Sequence, residues 1–214
     1  MSIGIIGAGA LGSSVARLLA KSGISATIAN SRGQESLAAL AGELGPSIKA
    51  GTAREAASAD VVLVAVRWVD LEKALGSLPA WNGRIVIDAT NPVAFLDPDF
   101  AEAKDPNNPL AAYGIKAIDL GGKHSSEVFR AFVPGARVVK AFNHLDAGVL
   151  AEPAVSGGQR ALFYSGDDAD AKVGIRKIIE QTGYFPVDLG ALDVGGPLVS
   201  LPFGSLAAVN FIKI

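Results

Sequence analysis

Cysteine is absent from this 214-residue chain, and it holds only two histidines and one methionine. The first absence excludes disulfides, thiol nucleophiles and cysteine-ligated metal, and it leaves the redox compartment open. His124 and His144 are the only imidazoles and neither stands in a metal-spaced cluster, so no metal site is expected and acid–base options are few. Charged residues make up 19% of the chain and the net charge is −2, which provides no basic footprint for nucleic acid or an acidic membrane. No apolar run is long enough to span a bilayer, and the apolar N-terminal segment lacks a basic leader and a cleavage site. A cytoplasmic location is the expectation. No serine elbow of the hydrolase type and no lysine-based dehydrogenase arrangement is visible either.

What the chain has is apolar patterning: 50% of its residues are hydrophobic, enough for one full domain and a small appendage. The most informative stretch is at the start. Strand-like Ile3-Gly4-Ile5-Ile6 runs into Gly7-Ala8-Gly9-Ala10-Leu11-Gly12 and then into a helical pattern, which is the context that makes a glycine triplet a dinucleotide fingerprint. Gly7 permits the turn out of the strand, Gly9 lets a pyrophosphate approach the backbone, and Gly12 lets the helix lie close to the sheet. The phosphates then meet a helix N-terminus, whose free N–H groups and macrodipole favour an anion.

The end of the second strand selects the dinucleotide. NAD sites usually place a carboxylate there, about 20 residues beyond the glycines, and it would repel a 2′-phosphate. Here Ala26-Thr27-Ile28-Ala29 ends in Asn30, Ser31 and Arg32, with no acid before Glu35. Arg32 offers a planar fork to a phosphate, and Ser31 and Asn30 offer further donors, so NADP(H) is the expected cofactor.

Strand and helix patterns alternate through the first ninety residues, and strands such as Val61-Val62-Leu63-Val64-Ala65-Val66 are apolar throughout. Such strands suit a parallel sheet covered on both faces, hence a doubly wound, Rossmann-type α/β fold. From Asn91 to about Lys123 the pattern weakens around Pro92, Pro98, Pro106 and Pro109, which predicts a long irregular connection. Regular elements return from Ser126 to Asp188. In the apolar tail, Gly195-Gly196-Pro197 and Pro202 predict interruptions. The organisation expected is a dinucleotide-binding domain over residues 1–144 and a small C-terminal acceptor and dimerisation region over 145–214. Leu198 to Ile214 carries one charge among many apolar side chains, which implies a cover, and a homodimer is the expected one.

In an open parallel sheet the ligand lies beyond the carboxyl ends of the strands. The candidates there are Ala65, Val66, Arg67 and Trp68 after the fourth strand, Asn91 and Pro92 after the fifth, and Asn143 and His144 after the sixth. Asn91 can bond the ribose or carboxamide, and Trp68 can wall the acceptor. Asn143 and His144 are the candidate catalytic pair, Asp88 and Asp119 being strand-end acids that as readily cap turns.

Taken together, Gly7–Gly12, Asn30-Ser31-Arg32, Val138-Val139-Lys140-Ala141-Phe142-Asn143 and Gly183-Tyr184-Phe185-Pro186-Val187-Asp188-Leu189-Gly190 resemble the NADP oxidoreductases that use the 8-hydroxy-5-deazaflavin coenzyme. The reductase domain of the six-transmembrane metalloreductases is similar too. The resemblance covers nearly the whole chain and implies direct hydride transfer between NADPH and a flavin-like ring. The family often has Pro where Arg67 stands and Thr where His144 stands. Such an acceptor delocalises charge in its own ring, so the protein would supply mainly proximity and orientation. Two other readings share the nucleotide domain: a small imine, carbonyl or β-hydroxyacid reductase, and an NADP-sensing module without turnover.

Overall fold

In the computed structural model, which describes residues 1–214, the fold is laid out by strands with no polar face. The elements run β1 (Ile3–Ile6), α1 (Ala10–Lys21), β2 (Ala26–Ala29), α2 (Ala38–Leu44), β3 (Ile48–Ala50), α3 (Ala53–Ala57), β4 (Val61–Val64), α4 (Leu71–Leu75) and β5 (Ile85–Asp88). There follow β6 (Val93–Phe95), β7 (Ile115–Ala117), α5 (Ser125–Phe132), β8 (Arg137–Ala141), α6 (Ala147–Leu150), β9 (Ala154–Val155), β10 (Gly158–Gly166), α7 (Ala169–Gln181), β11 (Phe185–Asp188), α8 (Leu192–Val199) and β12 (Ile212–Lys213). Every residue of β1, β4 and β5 is buried. The main path across the sheet is β11-β10-β8-β5-β4-β1-β2-β3.

From β3 to β8 the strands are parallel, as in a doubly wound Rossmann-type sheet, and β10 then reverses against β8 with β11 alongside it. The same sheet therefore continues beyond residue 144. Alternation within each buried strand feeds two cores. One face packs Ile5, Leu63 and Ile87 against α1, α6 and α7; the other packs Val62, Val64 and Val86 against α3, α4 and α5. The approach of α3 is allowed by Gly4, where a Cβ would stand 1.9 Å from the Ala56 carbonyl oxygen.

Two segments differ from the sequence expectation. Within 91–123, β6 and β7 form a two-stranded antiparallel sheet of their own, with 3-10 turns at Ala101–Lys104 and Ala111–Tyr113 between them. Three-residue strands are too short to show alternation, and their pairing partner is some twenty residues away. Gly195-Gly196-Pro197 does not break the chain but lies inside α8. The glycines are there for contact: a Cβ on Gly195 would lie 2.6 Å from those of Leu189 and Ser165, and one on Gly196 would lie 3.0 Å from Ser126 Oγ.

Asp88 and Lys140 are register partners at the ends of β5 and β8, and both side chains are fully buried. Lys140 Nζ donates to Asp88 Oδ2 at 2.9 Å and to the Thr90 carbonyl at 2.5 Å, while Asp88 Oδ1 accepts from Thr90 N and Oγ1. Burial pulls the ammonium below its ordinary pKa, and Asp88 opposes that fall. Removing one partner of such a pair strands the other. We expect Lys140→Met to cost about 3–5 kcal/mol in urea unfolding, with much of it restored when Asp88→Asn is added. A single variant within about 1 kcal/mol of the parent would show that the pair is not holding the edge.

Candidate active site

Where β1 ends, the chain turns through Gly7, whose φ of +106° suits glycine. Gly9 is the N-cap of α1 and brings no side chain to cap it, so the first-turn N–H groups have no intrahelical or capping partner. No acid sits in that turn. A Cβ on Gly12 would strike the Gly7 carbonyl oxygen at 1.9 Å, so this glycine lets the helix close onto the turn. A Cβ on Gly9 would meet nothing within 4 Å. The protein packs nothing against Gly9; the space in front of it is open to a ligand.

That space belongs to a cleft of about 550 Å³ at the carboxyl ends of β1, β2 and β4. Gly7, Ala8 and Gly9 form its floor, Asn30, Ser31 and Arg32 one side, and Ala65, Val66 and Arg67 another. Ala10, Leu11 and Gly12 do not line it: Ala10 is exposed, Leu11 leans on the core, and Gly12 is buried beneath the turn. Asn30 shapes its loop, accepting from Arg32 N at 2.9 Å and donating to Ser36 Oγ at 2.9 Å. Arg32 itself makes no ion pair, whereas Arg67 is tied to Asp70 at 2.7 Å. An open glycine floor, a helix N-terminus and a free guanidinium where an acid would exclude phosphate all fit a dinucleotide with a 2′-phosphate.

The other sequence candidates lie apart from the cleft lining, at the ends of β5 and β8. Asn91 and Asn143 clasp each other: Asn91 Nδ2 donates to the Asn143 carbonyl at 2.8 Å, and Asn143 Nδ2 donates to Asn91 Oδ1 at 3.0 Å. Asn91 Oδ1 also accepts from Leu201 N at 3.0 Å, and Asn143 Nδ2 donates to the Val199 carbonyl at 2.9 Å. The pair thus fastens the C-terminal segment to the carboxyl ends of β5 and β8, with Pro92 buried beside it. Asn143 Oδ1 is buried without a partner.

His144 is 2% exposed, and neither ring nitrogen finds a hydrogen-bond partner. Its ring packs 4.9 Å from that of Phe163, which in turn meets Phe211, and its carbonyl accepts from Ala208 N at 2.7 Å. Burial pushes the imidazole down to about 4, a fall that the nearby Ala161 backbone offsets only in part. At neutral pH His144 is uncharged. The preceding residue, Phe142, holds a left-handed φ of +65°, a conformation that costs a non-glycine residue energy and turns the chain out of β8.

Trp68 is buried among the core side chains on the α3–α5 face. His124 is exposed at the N-cap of α5, and Asp119 accepts from Gly121 N at 2.8 Å within a turn. No group of three His, Asp or Glu side chains is placed to hold a metal ion. Two features escaped sequence reasoning. Lys140 hides in an apolar strand and meets its acid across 52 positions. Lys73 and Ser77 line the cleft from α4 and the turn after it, away from the strand ends. Their signal was the face Asp70, Lys73, Ala74, Ser77, Leu78, spaced at three and four residues.

Residues 2–92 match the family model for NADP oxidoreductases described as coenzyme F420-dependent. A crystal structure of a hypothetical protein from Sinorhizobium meliloti is 39% identical, with a TM-score of 0.86 over 100% of this chain and 97% of that one. That of a candidate F420-dependent NADP-reductase from Arthrobacter sp. FB24 shares the fold at 24% identity and a TM-score of 0.64, over 90% and 86% of the two chains. Metalloreductase STEAP3 of Rattus norvegicus is 26% identical over 202 residues, which is 94% of this chain but 36% of that protein, so the chain spans about a third of the relative's length. No helix here is long and apolar enough to cross a membrane. The fingerprint, the cleft and these likenesses agree: residues 2–92 are those of an NADP oxidoreductase of the family named for coenzyme F420.

Proposed function

We propose that the protein passes hydride directly between NADP(H) and a planar flavin- or deazaflavin-type acceptor, residues 1–144 holding the dinucleotide and residues 145–214 the acceptor side. Bound NADPH supplies the hydride, and the acceptor ring takes up the charge. The first-turn N–H groups of α1, reached over Gly7, Ala8 and Gly9, bind the pyrophosphate; Arg32 and Ser31 bind the 2′-phosphate. Ala65, Val66 and Arg67 wall the path toward the nicotinamide. Asn91, Pro92, Asn143 and His144 shape the edge where the two rings meet.

The observation that carries this reading is that none of Asp88, Lys140 and His144 is free to donate a proton at that edge. Lys140 and Asp88 are locked to each other, and His144 is neutral and enclosed. Reduction of a carbonyl or imine wants a positioned acid, whereas a flavin-like ring carries its own charge sink. His144 then serves orientation, and His144→Ala should keep its NADPH affinity while losing roughly ten- to a hundredfold in turnover.

NADPH oxidation assayed with riboflavin, FMN, FAD, a deazaflavin, an imine and a carbonyl compound tests the acceptor; turnover confined to the last two would overturn the proposal. Arg32→Ala should weaken NADPH binding by roughly ten- to a hundredfold and leave NADH nearly unchanged, and Gly9→Val should abolish both. Equal losses for the two cofactors would remove Arg32 from the 2′-phosphate.

The low pKa of His144 also sets a pH dependence. The unfolded imidazole takes a proton below its ordinary value near 6.5, while the folded one resists until about 4. Stability should therefore fall as pH drops through that window, by about 3 kcal/mol at most, and this contribution should level off below it. Urea titrations of the parent and His144→Phe between pH 7 and 4 check this, since the variant should lack that part of the slope.

A second copy of the chain is the proposed cover for the tail, where Phe203, Phe211, Ile212 and Ile214 are exposed. Sedimentation at micromolar concentration should give a dimer, and a stable monomer would sink the idea.

A further inference from the structure

The α4 wall of the cleft is one side of a helix and the turn that follows it. Ala74 and Leu78 give that wall an apolar strip, and Lys73 and Ser77 give it polar groups. Four charged residues line the cleft: Arg32, Arg67, Asp70 and Lys73. The one acid among them is held by Arg67 at 2.7 Å, so it neutralises neither of the other cations. Lys73 takes part in no ion pair, and neither does Arg32. Two uncompensated cations thus border one cleft, Arg32 on the β2 side and Lys73 on the α4 side, with the apolar surfaces of Ala29, Ala53, Ala74 and Leu78 among its walls. Those surfaces suit a flat apolar base, and a cation at each side suits an anion carried on the ribose next to that base.

We propose that Lys73 is a second determinant of NADP(H) specificity, reaching the 2′-phosphate from the α4 side while Arg32 holds it from the β2 side. The inference rests on the reading of this cleft as the NADP(H) site. Lysine suits the task as a mobile point charge on a flexible stem, where Arg32 supplies the planar, bidentate contact. The Arg67–Asp70 ion pair is consistent with this placement, since a free carboxylate one turn before Lys73 would repel the phosphate.

The test is equilibrium binding of NADPH, NADH and adenosine 2′,5′-bisphosphate to the full chain, for the parent, Lys73→Met, Lys73→Arg and Arg32→Ala. Lys73 is exposed, and circular dichroism confirms that each variant is folded. Lys73→Met should weaken NADPH and the bisphosphate by roughly five- to thirtyfold and change NADH less than about twofold, and Lys73→Arg should restore most of the loss. Equal losses for NADPH and NADH would move Lys73 to the pyrophosphate, and no loss for either would remove it from the site; both overturn the inference. If the parent binds NADPH no better than NADH, the NADP(H) reading fails together with it. If Arg32→Ala shows the selective loss and Lys73→Met does not, the inference alone fails.

Discussion

How closely backbone passes backbone around β1 governs the shape of the candidate cleft. At Gly4 the strand lies against the α3 main chain, and at Gly7 a Cβ would sit 2.3 Å from the Ala65 carbonyl oxygen. At Gly12 the first turn of α1 closes over Gly7. Side chains at these places would push α3, the β4 end and α1 outward in three directions. The cleft exists because they are missing, and its floor is main chain rather than side chain. Main-chain N–H groups hold an anion at fixed positions without ordering a flexible side chain, which suits the NADP(H) role proposed for this cleft.

The opposite side of the sheet is organised by polar contacts. Asp88 and Lys140 join β5 to β8, Thr90 fastens the following loop to that pair, and Asn91 with Asn143 carries the connection to Val199 and Leu201. A buried ion pair is weak evidence of stability in itself. Its use here is registry: it fixes which residues of β5 and β8 stand level, and so where the next loop begins.

Much of the fold was legible in the sequence because its strands are apolar on both faces and end in turn residues. That the glycine turn and Arg32 would border one cleft, with no acid at the end of β2, was legible for the same reason, since each is placed by neighbours a few positions away. The polar clasp was not. Lys140 sits in a run of valine and alanine, and Asn91 looks like an ordinary turn residue until Asn143 stands opposite it. His144 shows the reverse: its place after a strand marks it for chemistry, but the tail that encloses it lies some sixty residues downstream. Gly195-Gly196 was misleading because glycine permits a break and also permits close packing, and only the neighbours Ser165, Leu189 and Ser126 tell which applies.

The reversal of β10 gives α8 a geometric duty. Gly166 at the end of β10 pairs with Val139 in the middle of β8, and its N–H bonds the Gly190 carbonyl, so the C-terminal segment leaves from that level. It must climb to Asn143, where the Val199 carbonyl is received. β8 itself ends at Ala141 and Phe142 turns away with a left-handed φ of +65°, so the eight residues of α8, with a rise of about 12 Å, make the link from the Gly190 level to the Val199 contact. α8 is therefore a strut fastened at both ends: one residue more or fewer would move one end by about 1.5 Å and swing it by about 100°, carrying Leu201 away from Asn91. Sequence within the strut is free to vary where packing allows, but its residue count is not.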